Sequence, residues 1–377
     1  MRYVDGNRLT LLCNGEQYFP ALVEAIDGAR REVFLETYIF AGDETGSLVI
    51  DALARAAARG VAVRLLIDGF GSRGFPPRFR RILEDTGVQL HMYRPVRIWG
   101  LRRDRLRRLH RKNACIDGQL AFVGGINILD DYVGPMPSPP RLDYAVRIEG
   151  PLTAQVRERA ARLWARLAGE APRAPVPARG PFAEGHRAAL VVRDSLHHRR
   201  DIERVYLERI AAARDEVIIA NAYFLPGWRF RRALVAAARR GVRVVLFLQG
   251  RVEYLLLHLA SRAMYGQLLD AGIEIWEYQR SFLHAKVAVF DGVHCCVGSS
   301  NIDPYSLLMA LEANVFVDDR RFSAQLRGGL QEAMRNGAQR IPPQHWRRRP
   351  LWQRMPIWVA YSITRLLTAF AGYERYH

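Results

Sequence analysis

The chain has 377 residues and a hydrophobic content of 49%, which indicates an ordinary globular protein of two or three domains with more than one core. Its formal net charge is +18 and its isoelectric point is about 10.4. A surface this basic attracts polyanions such as nucleic acid, anionic lipid or phosphorylated substrates, and charge alone does not choose among them.

The cysteines and the N-terminus argue against a metal site and against secretion. Cys13, Cys115, Cys295 and Cys296 lack the spacing of metal ligands, so we expect no metal, and free thiols in a reducing cytoplasm. Residues 1–14 are polar and charged where a signal peptide has an apolar core. No stretch reaches the roughly 20 apolar residues of a spanning helix, so we expect no anchor at the front of the chain.

The two halves of the chain show the same order of predicted elements. In each half, an alanine-rich helix ends at a glycine and is followed by an apolar run that predicts a buried strand. This alternation is typical of parallel βαβ units. The matching segments are 29–40, 57–67 and 87–93 in the first half and 213–224, 238–248 and 272–278 in the second half.

A proline-rich segment separates the halves, with four prolines in residues 169–185, too many for the interior of a helix or strand. We therefore predict an α/β fold with a duplicated domain. Each copy is expected to be a mixed β-sheet flanked by helices, and the two copies are expected to share one site at their interface. The predicted boundaries are 1–168 for the first domain, 169–185 for the linker, 186–345 for the second domain and 346–377 for a C-terminal tail.

Only two of the 56 basic residues are lysines, and both lie in the pattern His-x-Lys-x4-Asp. Residues at i and i+2 on a strand face the same side, so each histidine projects together with its lysine. An Asp-Gly pair then predicts a hairpin turn, and the returning strand brings an asparagine back beside the motif. The residues are His110, Lys112, Asp117 and Asn127 in the first half and His284, Lys286, Asp291 and Asn301 in the second half.

These side chains suit a displacement at a phosphodiester. One imidazole can attack phosphorus and form a phosphohistidine while the other protonates the departing alkoxide, and an arriving alcohol or water reverses the roles. The lysines and asparagines are candidate donors to the phosphoryl oxygens, on which negative charge grows. Neither step requires a metal or another cofactor. Because the ordinary pKa of histidine is near 6.5, we expect one ring to be neutral and the other charged around neutral pH.

Each imidazole is expected to have a carboxylate on its other ring nitrogen, which orients it. The candidates by spacing are Glu312, which lies 28 residues after His284, and Asp143, which lies 33 residues after His110. This spacing pairs each histidine with a carboxylate of its own half. The aspartates of the motif are expected to brace the Asp-Gly turns or to pair with a cation away from phosphorus.

The two motifs, followed by Gly-Gly-x-Asn and Gly-Ser-x-Asn, resemble the signature of the phospholipase D superfamily, and the resemblance extends over nearly the whole chain. Segments 109–118, 122–127, 147–151 and 298–303 are similar to bacterial cardiolipin synthases, most of all to their shorter form, cardiolipin synthase B, which lacks paired membrane helices at its front. The resemblance implies two tandem phospholipase D-like domains in a pseudo-two-fold pair. It also implies transfer of a phosphatidyl group between two phosphatidylglycerol molecules, with His110 as nucleophile and His284 as acid and base.

Two basic and aromatic segments are candidates for contact with a membrane. Residues 357–371 form an apolar run about one helix long that follows a basic and aromatic stretch, as expected where a chain meets anionic head groups. The alternative is a C-terminal helix docked on the second domain. A second basic segment ends at His110 and either grips head groups or forms a solvated surface. The candidate head-group residues are Trp99, Arg102, Arg103, Arg347, Arg348 and Arg349.

The expected partners are phosphatidylglycerol and other anionic phospholipids, at a peripheral position on the cytoplasmic face of the bacterial cell membrane. One alternative is a phospholipase D that transfers the phosphatidyl group to water. Another is a nuclease with the same motifs, since a phosphodiester in DNA presents the same chemistry. The apolar C-terminal run and the scarcity of aromatic side chains beside the catalytic strands argue against a nucleic-acid partner. The intact motifs argue against a non-catalytic lipid-binding scaffold.

Overall fold

The computed structural model describes residues 1–95, 107–132, 139–171, 174–194, 198–303, 306, 309–347 and 350–370. The first half begins with β1 (Val4–Cys13), α1 (Asn14–Asp27), β2 (Glu32–Thr37), α2 (Glu44–Ala58), β3 (Ala62–Asp68), α3 (Pro77–Thr86) and β4 (Gln89–Tyr93). It continues with β5 (Arg108–Leu109), β6 (Lys112–Ile116), β7 (Leu120–Gly124), β8 (Tyr144–Glu149) and α4 (Leu152–Ala168).

The second half repeats this order. It begins with β9 (His186–Arg193), α5 (Asp201–Ala212), β10 (Glu216–Asn221), α6 (Trp228–Arg239), β11 (Arg243–Gln249), α7 (Leu255–Arg262), α8 (Tyr265–Asp270) and β12 (Glu274–Tyr278). It continues with β13 (Lys286–Phe290), β14 (His294–Gly298), β15 (Ala310–Asp318), α9 (Arg320–Gly337), β16 (Ala338–Arg340), α10 (Pro343–Arg347) and α11 (Leu351–Phe370). The predicted helix stops at Gly60 and Gly241 have positive φ angles of 84° and 91°, which a residue without Cβ adopts at little cost.

The strands of both halves form one continuous sheet in the order β4-β3-β2-β6-β7-β8-β1-β9-β15-β14-β13-β10-β11-β12-β16. In each half, three parallel strands, β2 to β4 or β10 to β12, adjoin an antiparallel group. The halves meet where β1 pairs with β9 in antiparallel orientation. The predicted mixed α/β architecture is therefore confirmed, but the two sheets that the sequence indicates are joined edge to edge, which removes an exposed edge from each.

The apolar side chains form three cores. One packs the first-half strands against α1, α2 and α3, and a second packs the second-half strands against α5, α6 and α8. The third core contains strand residues of both halves together with α4 and α9, for example Trp164 of α4 and Leu326 of α9. Because burial of apolar surface is the main stabilising contribution to folding, this shared core holds the halves together.

The motif aspartates lie at the turns and brace them, as predicted. Asp117 and Asp291 have φ angles of 53° and 52°, a left-handed conformation that aspartate tolerates better than most residues. The Asp117 carboxylate accepts hydrogen bonds from the backbone N–H groups of Arg30, Arg31 and Glu32 at 2.8 to 2.9 Å. Asp291 binds the matching N–H groups of residues 214–216. Each aspartate thus ties its motif hairpin to the start of the neighbouring strand.

We expect Asp117→Ala or Asp291→Ala to lower the free energy of unfolding by about 2 kcal/mol, because three backbone donors lose a charged acceptor. The matched Asp→Asn variants, which keep one acceptor oxygen, should lose less. The measurement is chemical denaturation, with turnover per folded molecule measured in parallel. A large loss of turnover in a variant of unchanged stability would contradict the bracing role.

Candidate active site

The two His-x-Lys motifs meet at the interface between the halves. His110 and Lys112 stand at the start of β6, and His284 and Lys286 stand at the start of β13. Both lysine side chains are buried, and both histidine side chains are nearly so. The charge of Lys286 influences the pKa of His110, and that of Lys112 influences the pKa of His284, so the two sets lie within electrostatic reach of each other. The two motifs are therefore close enough to act on one substrate, and a cavity shared between them stays a prediction.

Each imidazole is held by a carboxylate from the other half of the chain. The Nδ1 atom of His110 lies 2.9 Å from Oε1 and 3.1 Å from Oε2 of Glu312. The Nδ1 atom of His284 lies 2.6 Å from Oδ2 of Asp143. Glu312 and Asp143 are therefore the orienting carboxylates, but the pairing within each half that their sequence spacing indicates is wrong.

The crossed pairing follows from two short contacts between strands of different halves. Leu109 of β5 pairs in parallel with Leu311 of β15, and an isolated parallel bridge joins Leu283 to Leu142. Each of these leucines directly precedes a histidine or its carboxylate. The N–H of His110 donates to the carbonyl of Leu311 at 3.0 Å, and the N–H of His284 donates to that of Leu142 at 2.9 Å. Next to each contact, the histidine and the carboxylate come side by side.

Each lysine lies over its own histidine. The Nζ atom of Lys112 donates to the carbonyl oxygen of His110 at 2.7 Å, and that of Lys286 donates to the carbonyl oxygen of His284. Lys286 Nζ is also 3.7 Å from Oδ2 of Asp143. Lys112 Nζ lies 5.4 Å from the centre of the Tyr38 ring, whose π face attracts a cation. Lys286 Nζ also lies 2.8 Å from Nδ1 of His284, so this ammonium group has three close partners, whereas Lys112 keeps donor capacity for an anion.

Burial lowers the pKa values of all four groups. Desolvation lowers the pKa of His284 to about 3, with a further decrease from Lys286, while Asp143 opposes the shift. The pKa of His110 is also lowered, first by burial. Burial lowers the pKa of Lys112 to about 7 and that of Lys286 to about 8. The lowered pKa values favour the neutral form of both imidazoles, in contrast to the expected pair of one neutral and one charged ring.

Each asparagine follows the return strand that pairs with its motif strand, β7 for Asn127 and β14 for Asn301, and its contact with the reacting group stays a prediction. The side-chain oxygen of Asn127 accepts a hydrogen bond from the N–H of Ile39 at 3.1 Å, which leaves its NH2 group as the available donor. Asn301 is buried, and its side-chain oxygen has no hydrogen-bond partner among the described residues.

Within the same described ranges, no group of three or more His, Cys, Asp or Glu side chains is arranged to hold a metal ion.

The family described as "Cardiolipin synthase, PLD-like domain" matches residues 22–164 and 206–334. The chain belongs to this family. Cardiolipin synthase B of Escherichia coli is 39% identical over 99% of this chain and 91% of that relative. Cardiolipin synthase A of Pseudomonas putida is 33% identical over 88% of this chain and 69% of that relative.

Among solved structures, phosphatidylserine synthase of Haemophilus influenzae is similar with a TM-score of 0.67 at 13% identity, covering 96% of this chain and 92% of that one. At this identity the likeness shows the fold alone. The predicted membership of the phospholipase D superfamily, with two phospholipase D-like domains, is confirmed by the two matched segments.

Two residues that position the histidines in this cardiolipin synthase family member were missed at the level of sequence. Asp68, at the end of β3, accepts from the N–H of Leu109 at 2.8 Å, and Gln249, at the end of β11, accepts from the N–H of Leu283 at 2.9 Å. Each fixes the backbone of the residue before a histidine. Both directly follow the apolar runs 63–67 and 244–248, so an alignment of the two repeats would have indicated them.

The surroundings of the two carboxylates differ. The hydroxyl of Ser299 donates to Oε2 of Glu312 at 2.5 Å. The matching position in the first half is Gly125, where a Cβ atom would lie 2.2 Å from Oδ1 of Asp143. Behind Glu312, the buried Arg193 faces it across β9 and β15, and burial lowers the pKa of Arg193 to about 10, so it is still a cation at neutral pH. The Glu312 and His110 pair therefore has a buried arginine and a hydroxyl nearby, whereas Gly125 supplies no hydroxyl to Asp143, whose nearby cation is Lys286.

The C-terminal helix has one face on the protein and one face exposed. α11 packs against α7, with Ile357, Ala360 and Thr364 buried. Its other face is exposed and mostly apolar: Trp352, Met355, Trp358, Val359, Ile363 and Leu366. The predicted docking on the second domain is thus found, and membrane contact of the outer face stays a prediction. No helix in the described part of the chain is long and apolar enough to cross a membrane.

Most of the predicted head-group residues cannot be placed. Trp99, Arg102, Arg103, Arg348 and Arg349 lie outside the described residues, and only the backbone of Arg347 is described, in α10. Their contact with lipid stays a prediction.

The crossed pairing makes a distinctive prediction for Glu312→Gln and Asp143→Asn. Loss of the carboxylate leaves the ring in the wrong tautomer, so each variant should lose about 10²- to 10⁴-fold in turnover. With ¹⁵N-labelled histidine, Glu312→Gln should shift the ring signals of His110 and spare those of His284, and Asp143→Asn should do the opposite. The reverse pattern of shifts would contradict the crossed pairs.

We expect the site to take up protons when an oxyanion binds. An anion in the cavity raises the lowered pKa values of the histidines and lysines, because its charge favours their protonated forms. Sulfate titration calorimetry at pH 8, in buffers of different ionisation enthalpy, should show uptake of about one proton per anion bound. Lys112→Met should reduce the uptake, and a binding heat that does not depend on the buffer would contradict this prediction.

Proposed function

We propose that the protein is a cardiolipin synthase that transfers a phosphatidyl group from one phosphatidylglycerol to the hydroxyl of another, releasing glycerol. One observation carries the proposal above all others. Each of two buried imidazoles at one cavity has its Nδ1 atom occupied by a carboxylate, which leaves both Nε2 atoms available for chemistry at a single phosphorus. The family membership of the chain supports the same reaction.

In the first step, Nε2 of His110 attacks phosphorus and forms a P–N bond while the P–O bond to glycerol breaks. His284, protonated in the presence of the anionic substrate, gives its proton to the departing glycerol oxygen. Glu312 stabilises the positive charge that develops on the ring of His110. Its two oxygens lie within 3.1 Å of Nδ1, and Ser299 holds the carboxylate in place.

In the second step, the hydroxyl of a second phosphatidylglycerol loses its proton to His284 and attacks phosphorus, the P–N bond breaks, and His110 is regenerated. No net proton or electron is gained or lost over the two steps. In this proposal the ammonium groups of Lys112 and Lys286 and the amide of Asn127 stabilise the negative charge on the phosphoryl oxygens. Because both lysines are buried, each interaction with that charge is stronger than it would be in water.

The proposed place of action is the cytoplasmic face of the bacterial cell membrane, where the protein binds peripherally through the proposed tail, 346–377. The net charge of +18 favours a surface rich in anionic lipid. The exposed apolar face of α11 fits the boundary between head groups and acyl chains. Leu255 and Leu256 at the start of α7, against which α11 packs, add exposed apolar surface to the same layer.

The test is to mix the purified protein, without added metal, with phosphatidylglycerol vesicles and to identify the products by mass spectrometry. Cardiolipin with an equal amount of glycerol is the expected result. Phosphatidic acid as the main product would replace the transferase with a phospholipase D. No change in the lipid, together with cleavage of DNA by the same preparation, would favour the nuclease.

We expect His110→Ala and His284→Ala each to lower turnover by at least about 10³-fold, since the first variant lacks the nucleophile and the second lacks the acid and base that speed both steps. Phosphohistidine breaks down in acid, so an acid quench would destroy the intermediate. The measurement is therefore a reaction with labelled lipid that is quenched rapidly into alkali. His284→Ala should accumulate the label on His110, and His110→Ala should carry none. Label retained by His110→Ala would reverse the assignment of nucleophile and acid.

A further inference from the structure

A cleft of about 920 Å³ lies in the second half, away from the catalytic cavity. Three helices, α6, α8 and α11, form its walls, together with the end of α7 and the buried Trp346 of α10. None of the four motif residues, their carboxylates or the two asparagines lines it. It is therefore a separate cavity, with a volume in the range that suits an organic ligand.

The polar part of the cleft carries one net positive charge. Its lining includes Arg231, Arg239, Arg262 and one acidic residue, Asp270. The guanidinium of Arg262 is neutralised by Glu277, to which it donates at 2.7 and 2.8 Å. The Nε atom of Arg231 is buried and has no hydrogen-bond partner in the described part of the chain. After Asp270 is subtracted, Arg231 and Arg239 leave a single positive charge, which matches the single negative charge of a phosphodiester.

Apart from Gln267, the rest of the lining is apolar or aromatic. Trp346 is buried and packs on the ring of Tyr265, with ring centroids 5.1 Å apart. Trp358 and Tyr361 of α11 contact each other edge to face at 6.0 Å and line the opposite wall. Met264, whose side chain adapts to irregular shapes, lies in the same lining. A ligand with one phosphate and long apolar chains satisfies both parts of this cleft.

The cleft opens at the layer of the protein that we place against the membrane. Trp358 lines the cleft and is 54% exposed, as is its neighbour Val359 on the outer face of α11. Aromatic side chains of this kind are favoured at the boundary between head groups and acyl chains. A lipid can therefore enter from the bilayer without crossing water.

We infer that this cleft is a second, non-catalytic lipid site that binds one anionic phospholipid from the bilayer. The phosphate lies against Arg231 and Arg239, and an acyl chain lies between α11 and the walls of α6 and α8. A lipid held there keeps α11 on the membrane, so the cleft anchors the enzyme independently of its turnover.

The experiment uses the full-length protein on phosphatidylcholine vesicles that contain a small fraction of phosphatidylglycerol with a photoactivatable group in an acyl chain. After irradiation, adducts are mapped by peptide mass spectrometry. We expect adducts on the cleft segments of α6, α8 and α11. Arg231→Gln/Arg239→Gln should lower their yield about tenfold or more, because each arginine near an anionic head group adds to the affinity.

Two matched variants make the result decisive. Arg232→Gln removes a charge from the same helix outside the cleft, where Arg232 lies 4.7 Å from the ring of Trp228, and it should leave the adduct yield unchanged. If the double variant does not fold, Arg239→Gln alone, at an exposed position, should still lower the yield severalfold. Equal labelling by a photoactivatable phosphatidylcholine, or no adduct in the cleft, overturns the inference.

The catalytic variant His110→Ala separates this site from the proposed reaction. It should keep the cleft adducts of the unmodified protein while making no cardiolipin. Absence of cleft adducts from a protein that makes cardiolipin overturns the second site and leaves the proposed function standing. Cleft adducts in a protein that makes no cardiolipin support the second site and count against the proposed function.

Discussion

The hydrogen bond between each imidazole and a carboxylate of the opposite half is the interaction on which the rest of the site depends. His110 with Glu312 and His284 with Asp143 can form only when the two halves are docked. The same contact sets the tautomer of each ring and so decides which nitrogen faces the cavity. Duplication of the domain is therefore more than repetition of a stable unit, because one copy alone holds a histidine without its partner.

Desolvation is the second constraint. The site places two lysines and two histidines in a buried space, where each like charge and each lost water opposes the charged forms. We propose that a bound anionic phosphodiester opposes these pKa shifts, because its charge favours the protonated forms of the histidines and lysines.

The two halves are similar in backbone and different where chemistry requires it. Glu312 has Ser299 beside it and the buried cation Arg193 behind it, whereas Asp143 has Gly125 at the position of the serine. A pseudo-symmetric frame can thus give its two imidazoles different surroundings. The asymmetry continues on the surface, since only the second half carries the α11 layer and the adjoining cleft.

Local sequence patterns determined much of this protein. The two lysines in the repeated motif indicated the family, the glycine stops and apolar runs predicted the βαβ order, and the Asp-Gly pairs predicted the turns that Asp117 and Asp291 brace. These features depend on neighbours along the chain. The edge-to-edge joining of the sheets, the crossed partners of His110 and His284, and the exposed face of α11 were decided only by the tertiary structure. The reason is physical: Leu109 meets Leu311 across some 200 residues of chain, and a hydrogen bond between strands that distant leaves no periodic signal in the sequence of either one.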